Sequence, residues 1–263
     1  MRLVTVTPFG GMSQEGGIIS LLAIYLGQIG FDVTQFSCNG PFSTCDRDAS
    51  RTWQRRIHSC TDCMAEQESL AGWSGQSRDV LSAYLSPQDI VATRRWMMSR
   101  QDSQILGARY EDFDVRELTP GTFSKRFGFT LPDEKNKQHI EFLRKIALSS
   151  VRAGIASRAY LLKRRPDVAF VAGAEDYISK AFEVAAAKTS VDLVRFRWES
   201  GSRYVKIFRA GNSNVYPCEL LLDGVATLGP RVEAWPAEIV VMVEEILDFL
   251  GLSQFQLQLP IAQ

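Results

Sequence analysis

The chain has 263 residues, 45% of them hydrophobic, enough for one large packed domain or two small ones, so a disordered chain is not expected. Thirty basic residues balance thirty acidic ones, which excludes a global field able to recruit nucleic acid or an anionic membrane surface. An anionic ligand would have to be held locally.

In chain order, Leu3 to Thr7 is a β-rich run, Gly10 to Gly17 a glycine-rich loop, Ile18 to Ile29 an apolar helix ended by Gly30, and Phe31 to Ser37 a second strand. Strand, loop, helix and strand in that order open a parallel βαβ unit. The N-terminus carries one positive charge before Pro8, and its apolar run is too short for a secretory signal, so the expected location is cytoplasmic.

Residues 38 to 64 read as a cysteine-bearing loop inserted into the unit, and 65 to 135 as irregular, mixing short helical pieces with turn signals at Ser86-Pro87 and Thr119-Pro120-Gly121. From His139 to Arg165 the period is helical, and Pro166 stops it. Asp167 to Gly173 reads as a buried strand, Glu175 to Lys188 as a helix and Val191 to Trp198 as another strand, a second βαβ unit. Tyr204 to Ala210 and Val215 to Leu222 form an expected hairpin, and Pro236 to Leu250 a closing helix. The apolar stretch near Ile239 to Leu252 is broken by Glu244, Glu245 and Asp248, so no membrane span is expected. There is no internal repeat or evident linker. The expectation is a single α/β domain over 1–263: a Rossmann-like, open, mostly parallel sheet flanked by helices, with a cysteine-rich metal loop at 38–64 and a C-terminal hairpin.

Four of the five cysteines, Cys38, Cys45, Cys60 and Cys63, fall within 26 residues. In a chain without an export signal this crowding argues against a disulfide framework and for thiolate ligands of a metal. A closed four-thiolate site would be structural zinc, organising a loop with no open position for catalysis. An iron–sulfur cluster is the alternative, although the spacing differs from compact ferredoxin runs, and uncoordinated or oxidised cysteines are a third reading. His58 would be a substitute ligand or a surface residue. Cys218, isolated in a strand-like run, reads as a small core residue.

Parallel sheets bind ligands beyond the carboxyl ends of their strands, which places the loops Pro8 to Gly17 and Ala172 to Asp176 at the functional edge. The first, with Gly10, Gly11, Ser13 and Glu15, precedes a helix and would present backbone N–H groups to an anionic or hydroxylated ligand. It lacks the glycine pattern of a dinucleotide fold and the Gly-Lys-Ser/Thr of a P-loop. Glu15 is the candidate general base; Ser13 as N-cap and Glu15 as a helix-dipole partner are the structural alternatives. Gly173, Glu175, Asp176 and Glu199, at strand ends, would contact hydroxyls or serve as caps. Arg47, Arg51, Arg55 and Arg56 would grip a phosphate or acidic sugar, or form a solvated face.

The run from Phe36 to Asp46 with Cys38 and Cys45, followed by Cys60-Thr61-Asp62-Cys63, resembles the cysteine-bearing loop of bacterial glycosyltransferase-like proteins of surface and capsular polysaccharide synthesis. Arg165 to Gly173 and the strand ending in Trp198-Glu199-Ser200-Gly201 look like the second half of the N-terminal lobe of those two-lobed (GT-B) enzymes. The resemblance implies a sugar or lipid-linked sugar acceptor bound by this lobe, with the nucleotide-sugar donor held by a second lobe or a partner subunit. The pattern departs at Ala172-Gly173-Ala174-Glu175, where an Asn-Gly pair with a basic residue would be expected. The alternative is a non-enzymatic zinc-containing binding or scaffold domain. Only about 65 residues follow Trp198, fewer than the usual ~100–150 of a further nucleotide-binding domain, so transfer by this chain alone is not expected.

Overall fold

The fold is described from a computed structural model covering residues 1–10, 13–45, 53–173, 175–198, 204–209, 214–219, 228 and 231–252, with backbone alone for 14, 53–59 and 234. Seven strands make the main sheet: β1 (Arg2–Val6), β2 (Asp32–Ser37), β3 (Ser77–Val80), β6 (Val168–Ala172), β7 (Asp192–Trp198), β8 (Tyr204–Arg209) and β9 (Val215–Glu219). Their order is β3-β2-β1-β6-β7-β8-β9. The first five run parallel, and β8 and β9 close one side as an antiparallel hairpin. The small strands β4 (Arg109–Tyr110) and β5 (Phe113–Asp114) pair separately. The expected open, mostly parallel sheet is therefore present.

Parallel strands covered on both faces must be apolar throughout rather than in alternation. Val168–Ala172 is buried at every position, and Leu3 to Val6 likewise. Alternate residues then feed two cores. Leu3, Phe170, Val194 and Phe196 face α1 (Gln14–Gln28) and α8 (Ala237–Phe249). Val4, Val6, Ala169 and Val171 face α6 (Lys137–Arg164) and α7 (Tyr177–Ala186). Phe36 stacks on Tyr160 of α6 with ring centroids 4.2 Å apart.

At 28 residues, α6 spans about 42 Å. Asn136 caps its start, accepting the N–H groups of Gln138 and His139, and Arg165 ends it in a left-handed conformation ahead of Pro166. Its C-terminal half covers the sheet. Its N-terminal half builds a third core with α3 (Pro87–Met98), α4 (Val115–Leu118) and α5 (Pro120–Phe127), from residues such as Met97, Val115, Phe123 and Leu143.

Two sequence expectations change. The stretch 38–64 is not wholly a loop: α2 (Trp53–Trp73) carries Cys60 and Cys63 on its turns and forms the ordinary crossover from β2 to β3. The segment 65–135, read as an irregular mix of short helical pieces and turns, holds the rest of α2, the short helices α3 to α5 and the unforeseen strand β3. A four-residue polar strand and short helices give no sustained apolar period, so tertiary packing decides them. The sheet ends on β3, of sequence Ser-Arg-Asp-Val, and on β9, which contains Pro217. No helix among the described residues is long and apolar enough to cross a membrane.

Candidate functional site

Crossovers leave β1 and β6 on opposite faces of the sheet, α1 to one side and α7 to the other. The backbones part beyond the carboxyl ends of these neighbours, the usual place for a ligand in such a fold. A cleft of ≈ 170 Å3 opens there. Thr7, Pro8, Phe9 and Gly10 wall it after β1, Ala172, Gly173 and Asp176 after β6, and Ser13, Glu15 and Gly16 from the start of α1, with Leu70 and Lys125 completing it.

Most of the predicted cleft residues are among those described, and each of these has a definite place. Ser13 is the N-cap of α1, its hydroxyl accepting the Gly16 N–H at 3.0 Å. The Glu15 carboxylate accepts the Trp198 N–H at 3.0 Å, tying α1 to the end of β7. Gly10 and Gly173 line the cleft. Glu175 does not: it is half exposed and pairs with Arg197 at 2.5 Å. The carboxylate on that side is instead Asp176, 3% exposed, which caps α7 by accepting the N–H groups of Ile178 and Ser179 at 2.9 and 2.8 Å. Gly11, Glu199, Arg47 and Arg51 lie outside the described residues, as do the side chains of Arg55, Arg56 and His58.

The cation of the cleft, Lys125, was not foreseen, because α5 sits in the stretch without periodicity. Its position follows from close packing. Thr122 accepts the Tyr177 N–H at 3.1 Å, and a Cβ on Gly121 would lie 1.9 Å from the Glu175 carbonyl oxygen. Only glycine allows α5 to lie so near the turn before α7. Two carboxylates and one ammonium set in an otherwise largely apolar cleft suit a hydroxylated ligand bearing little net charge.

On the other side of Phe9 lies a second cavity of ≈ 20 Å3, lined by Cys38, Cys45, Cys60 and Cys63 with Gly40, Phe42, Thr44, Met64 and Tyr177. The structure thus brings together all four cysteines that the sequence singles out. None of the described cysteines is in a disulfide. Cys38 follows β2 directly. The loop bearing Cys45 is fastened to α7 by the Tyr177 hydroxyl, which donates to the Thr44 carbonyl at 2.8 Å. Cys60 and Cys63, one helical turn apart, share a face of α2.

Backbone N–H groups aim at two of the sulfurs: Gly10 donates to Cys63 Sγ at 3.0 Å and Gly40 to Cys38 Sγ at 3.3 Å. Part of Cys38 reaches solvent, but burial of its thiol pushes it well above its ordinary range; the Gly40 N–H opposes this, and the neighbouring Cys45, Cys63 and Cys60 add to the rise. As the side chains lie, no three His, Cys, Asp or Glu among the described residues already form a group able to hold a metal ion. Cys218, 2% exposed on β9, is a core residue, its thiol pushed up to about 12 by burial and by Glu245.

No family model matches the chain, and no curated protein does. Among solved structures, the PvcA protein from Pseudomonas aeruginosa superposes with a TM-score of 0.36 at 10% identity, over 65% of this chain and 64% of that one. The chain therefore spans just under two thirds of that structure's length. A deacetylase–teicoplanin complex from the teicoplanin biosynthesis pathway superposes with the same TM-score of 0.36 at 10% identity, over 97% of this chain and 88% of that one. At this distance neither structure's chemistry transfers to the present chain.

Proposed function

We propose that this chain is a glycosyltransferase-like acceptor lobe: it holds a sugar or lipid-linked sugar in the cleft between the β1 and β6 loops, and a donor-binding lobe or partner subunit closes over it. The observation that supports the reading is the cleft itself, at the switch point of the sheet and bordered by Glu15, Lys125 and Asp176. Carboxylates accept from sugar hydroxyls, and the ammonium donates to ring or hydroxyl oxygens. Glu15, anchored by the Trp198 N–H, is the group placed to take the proton of an acceptor hydroxyl as the glycosyl bond forms. The residues here position one reactant; transfer needs the second held in attack geometry as well.

A second reading, a non-enzymatic binding or scaffold domain, draws on a specific observation. Ser13, Glu15 and Asp176 each already hold a backbone N–H, a task a scaffold needs as much as an enzyme does. Calorimetry of the purified chain with a panel of mono- and oligosaccharides tests the first reading: binding is expected, weakened about tenfold or more by Asp176→Asn together with Lys125→Ala, the loss of one or two hydrogen bonds to charged groups. Absence of any saccharide binding would remove it. Sugar transfer from a nucleotide sugar by the isolated chain would instead overturn the need for a donor-binding partner.

A further inference from the structure

We propose that Cys38, Cys45, Cys60 and Cys63 bind one divalent thiophilic cation of the zinc type, and that this centre sets the cleft loop Pro8–Gly10 through Cys63. The four cysteine side chains line a single cavity of ≈ 20 Å3, room for about one water-sized body. Four thiolates around one cavity match the ligand set of a closed, tetrahedral single-ion site. On binding, the thiols release their protons to solvent and leave a thiolate set with more negative charge than the ion carries positive. The N–H groups of Gly10 and Gly40, already directed at Cys63 and Cys38, are the donors such an excess requires.

The link to the cleft is built from several contacts. Gly10 approaches α2 so closely that a Cβ on it would lie 2.2 Å from the Cys63 carbonyl oxygen and 2.8 Å from Glu66 Oε2. Gln67, fully buried, donates through Nε2 to the Pro8 carbonyl at 2.8 Å and to Cys63 Sγ at 3.7 Å. Its Oε1 accepts from Arg78 at 2.9 Å, and Arg78 donates in turn to Ser37, the residue before Cys38, at 3.1 Å. Phe9 lines both cavities. Pro8, Phe9 and Gly10 therefore belong to the cleft wall and to the shell that orients a metal ligand, and outer-shell partners of this kind tune metal affinity.

Calling Pro8–Gly10 a ligand loop rests on the acceptor-cleft reading, but the tests use no saccharide, so they stand or fall separately from it. Reduced, chelator-treated full chain titrated with cobalt(II) should take up one equivalent, with a thiolate-to-cobalt charge-transfer band and the visible bands of a tetrahedral ion, both removed by zinc. Metal should slow hydrogen exchange at the Gly10 amide about tenfold or more. Gln67→Leu, and Gly10→Ala where circular dichroism shows it folded, should weaken cobalt binding about 10–100-fold without removing a ligand. Absence of the charge-transfer band, or protein isolated with iron and inorganic sulfide, overturns the single-ion site. A normal band with unchanged Gly10 exchange and unchanged affinity in Gln67→Leu overturns the coupling.

Discussion

The cleft and the cysteine cavity share Phe9 as a wall, yet they are assembled in opposite ways. The cleft hangs on the ends of two central strands, and its polar side chains are fixed by backbone hydrogen bonds at Ser13, Glu15 and Asp176. The cysteine cavity draws on α2 and the loop after β2, and four cysteines line it together with Thr44 and Tyr177. One region has its polar side chains fixed by backbone partners; the other gathers four cysteines from separate elements around one small cavity. The difference teaches that damage to the sheet should reach both regions, whereas damage at one rim should reach the other only through the Pro8–Gly10 loop between them.

Phe170→Ala tests the shared foundation. Phe170 is fully buried on β6 and meets Phe196 edge-on at 5.4 Å, so its truncation should cost about 3–5 kcal/mol. Urea unfolding should show that loss, with both cavities failing together; a loss confined to one of them would break the comparison. Gly121→Ala sharpens it from the cleft side. The added methyl meets the Glu175 carbonyl, costing about 1–3 kcal/mol by overpacking and moving Lys125 while leaving metal affinity unchanged.

Cys63→Ser does the reverse. The hydroxyl can still accept from Gly10, so the metal-free protein should lose no more than about 1 kcal/mol, whereas tetrahedral cobalt binding should disappear. A small difference between the denaturant midpoints of variant and wild type without metal, and a clearly larger one with it, is the expected result.

The smallest effect belongs to the scaffold, away from both cavities. Glu183 on α7 has a side chain only 7% exposed, with Lys180 at 3.7 Å and Arg195 at 3.9 Å, and its Oε1 has no hydrogen-bond partner among the described residues. Burial lifts its carboxyl above the ordinary 4.5 in spite of those cations. A raised carboxyl favours the protonated fold, so its contribution is present below 4.5 and is lost as pH climbs through the folded value. Glu183→Gln should therefore gain on the wild type as pH rises above about 4.5, read from urea midpoints at a series of pH values. A constant difference across that range would contradict the assignment.

The legible parts of the molecule were those whose chemistry is local. Val168–Ala172 is an unbroken apolar run between Pro166 and Gly173, and burial on both faces leaves no other pattern for a central parallel strand. Clustering of the four cysteines was visible in their spacing, and their convergence on one cavity follows it. The helix beneath Cys60 and Cys63 was not read, although a three-residue interval is one helical turn and carried the signal. Ser77–Val80 was unreadable for a different reason: an edge strand of Ser, Arg, Asp and Val is specified by its partner β2, not by its own residues. The hydrogen bond between Glu15 and Trp198 joins residues 183 apart, and Lys125 reaches the cleft only because Gly121 permits close packing. Neither leaves a trace in a single sequence.

The two ends of the main sheet bear on how this chain behaves when crowded. An open sheet offers unpaired backbone groups to any passing strand, and repeated pairing of that kind leads to fibrils. Here one border is four residues long, with an arginine and an aspartate among them, and the other contains Pro217, which has no N–H to give. Strand-by-strand growth from one copy to the next is thereby starved at both borders, so concentrated protein should resist cross-β aggregation for as long as its hairpin stays folded.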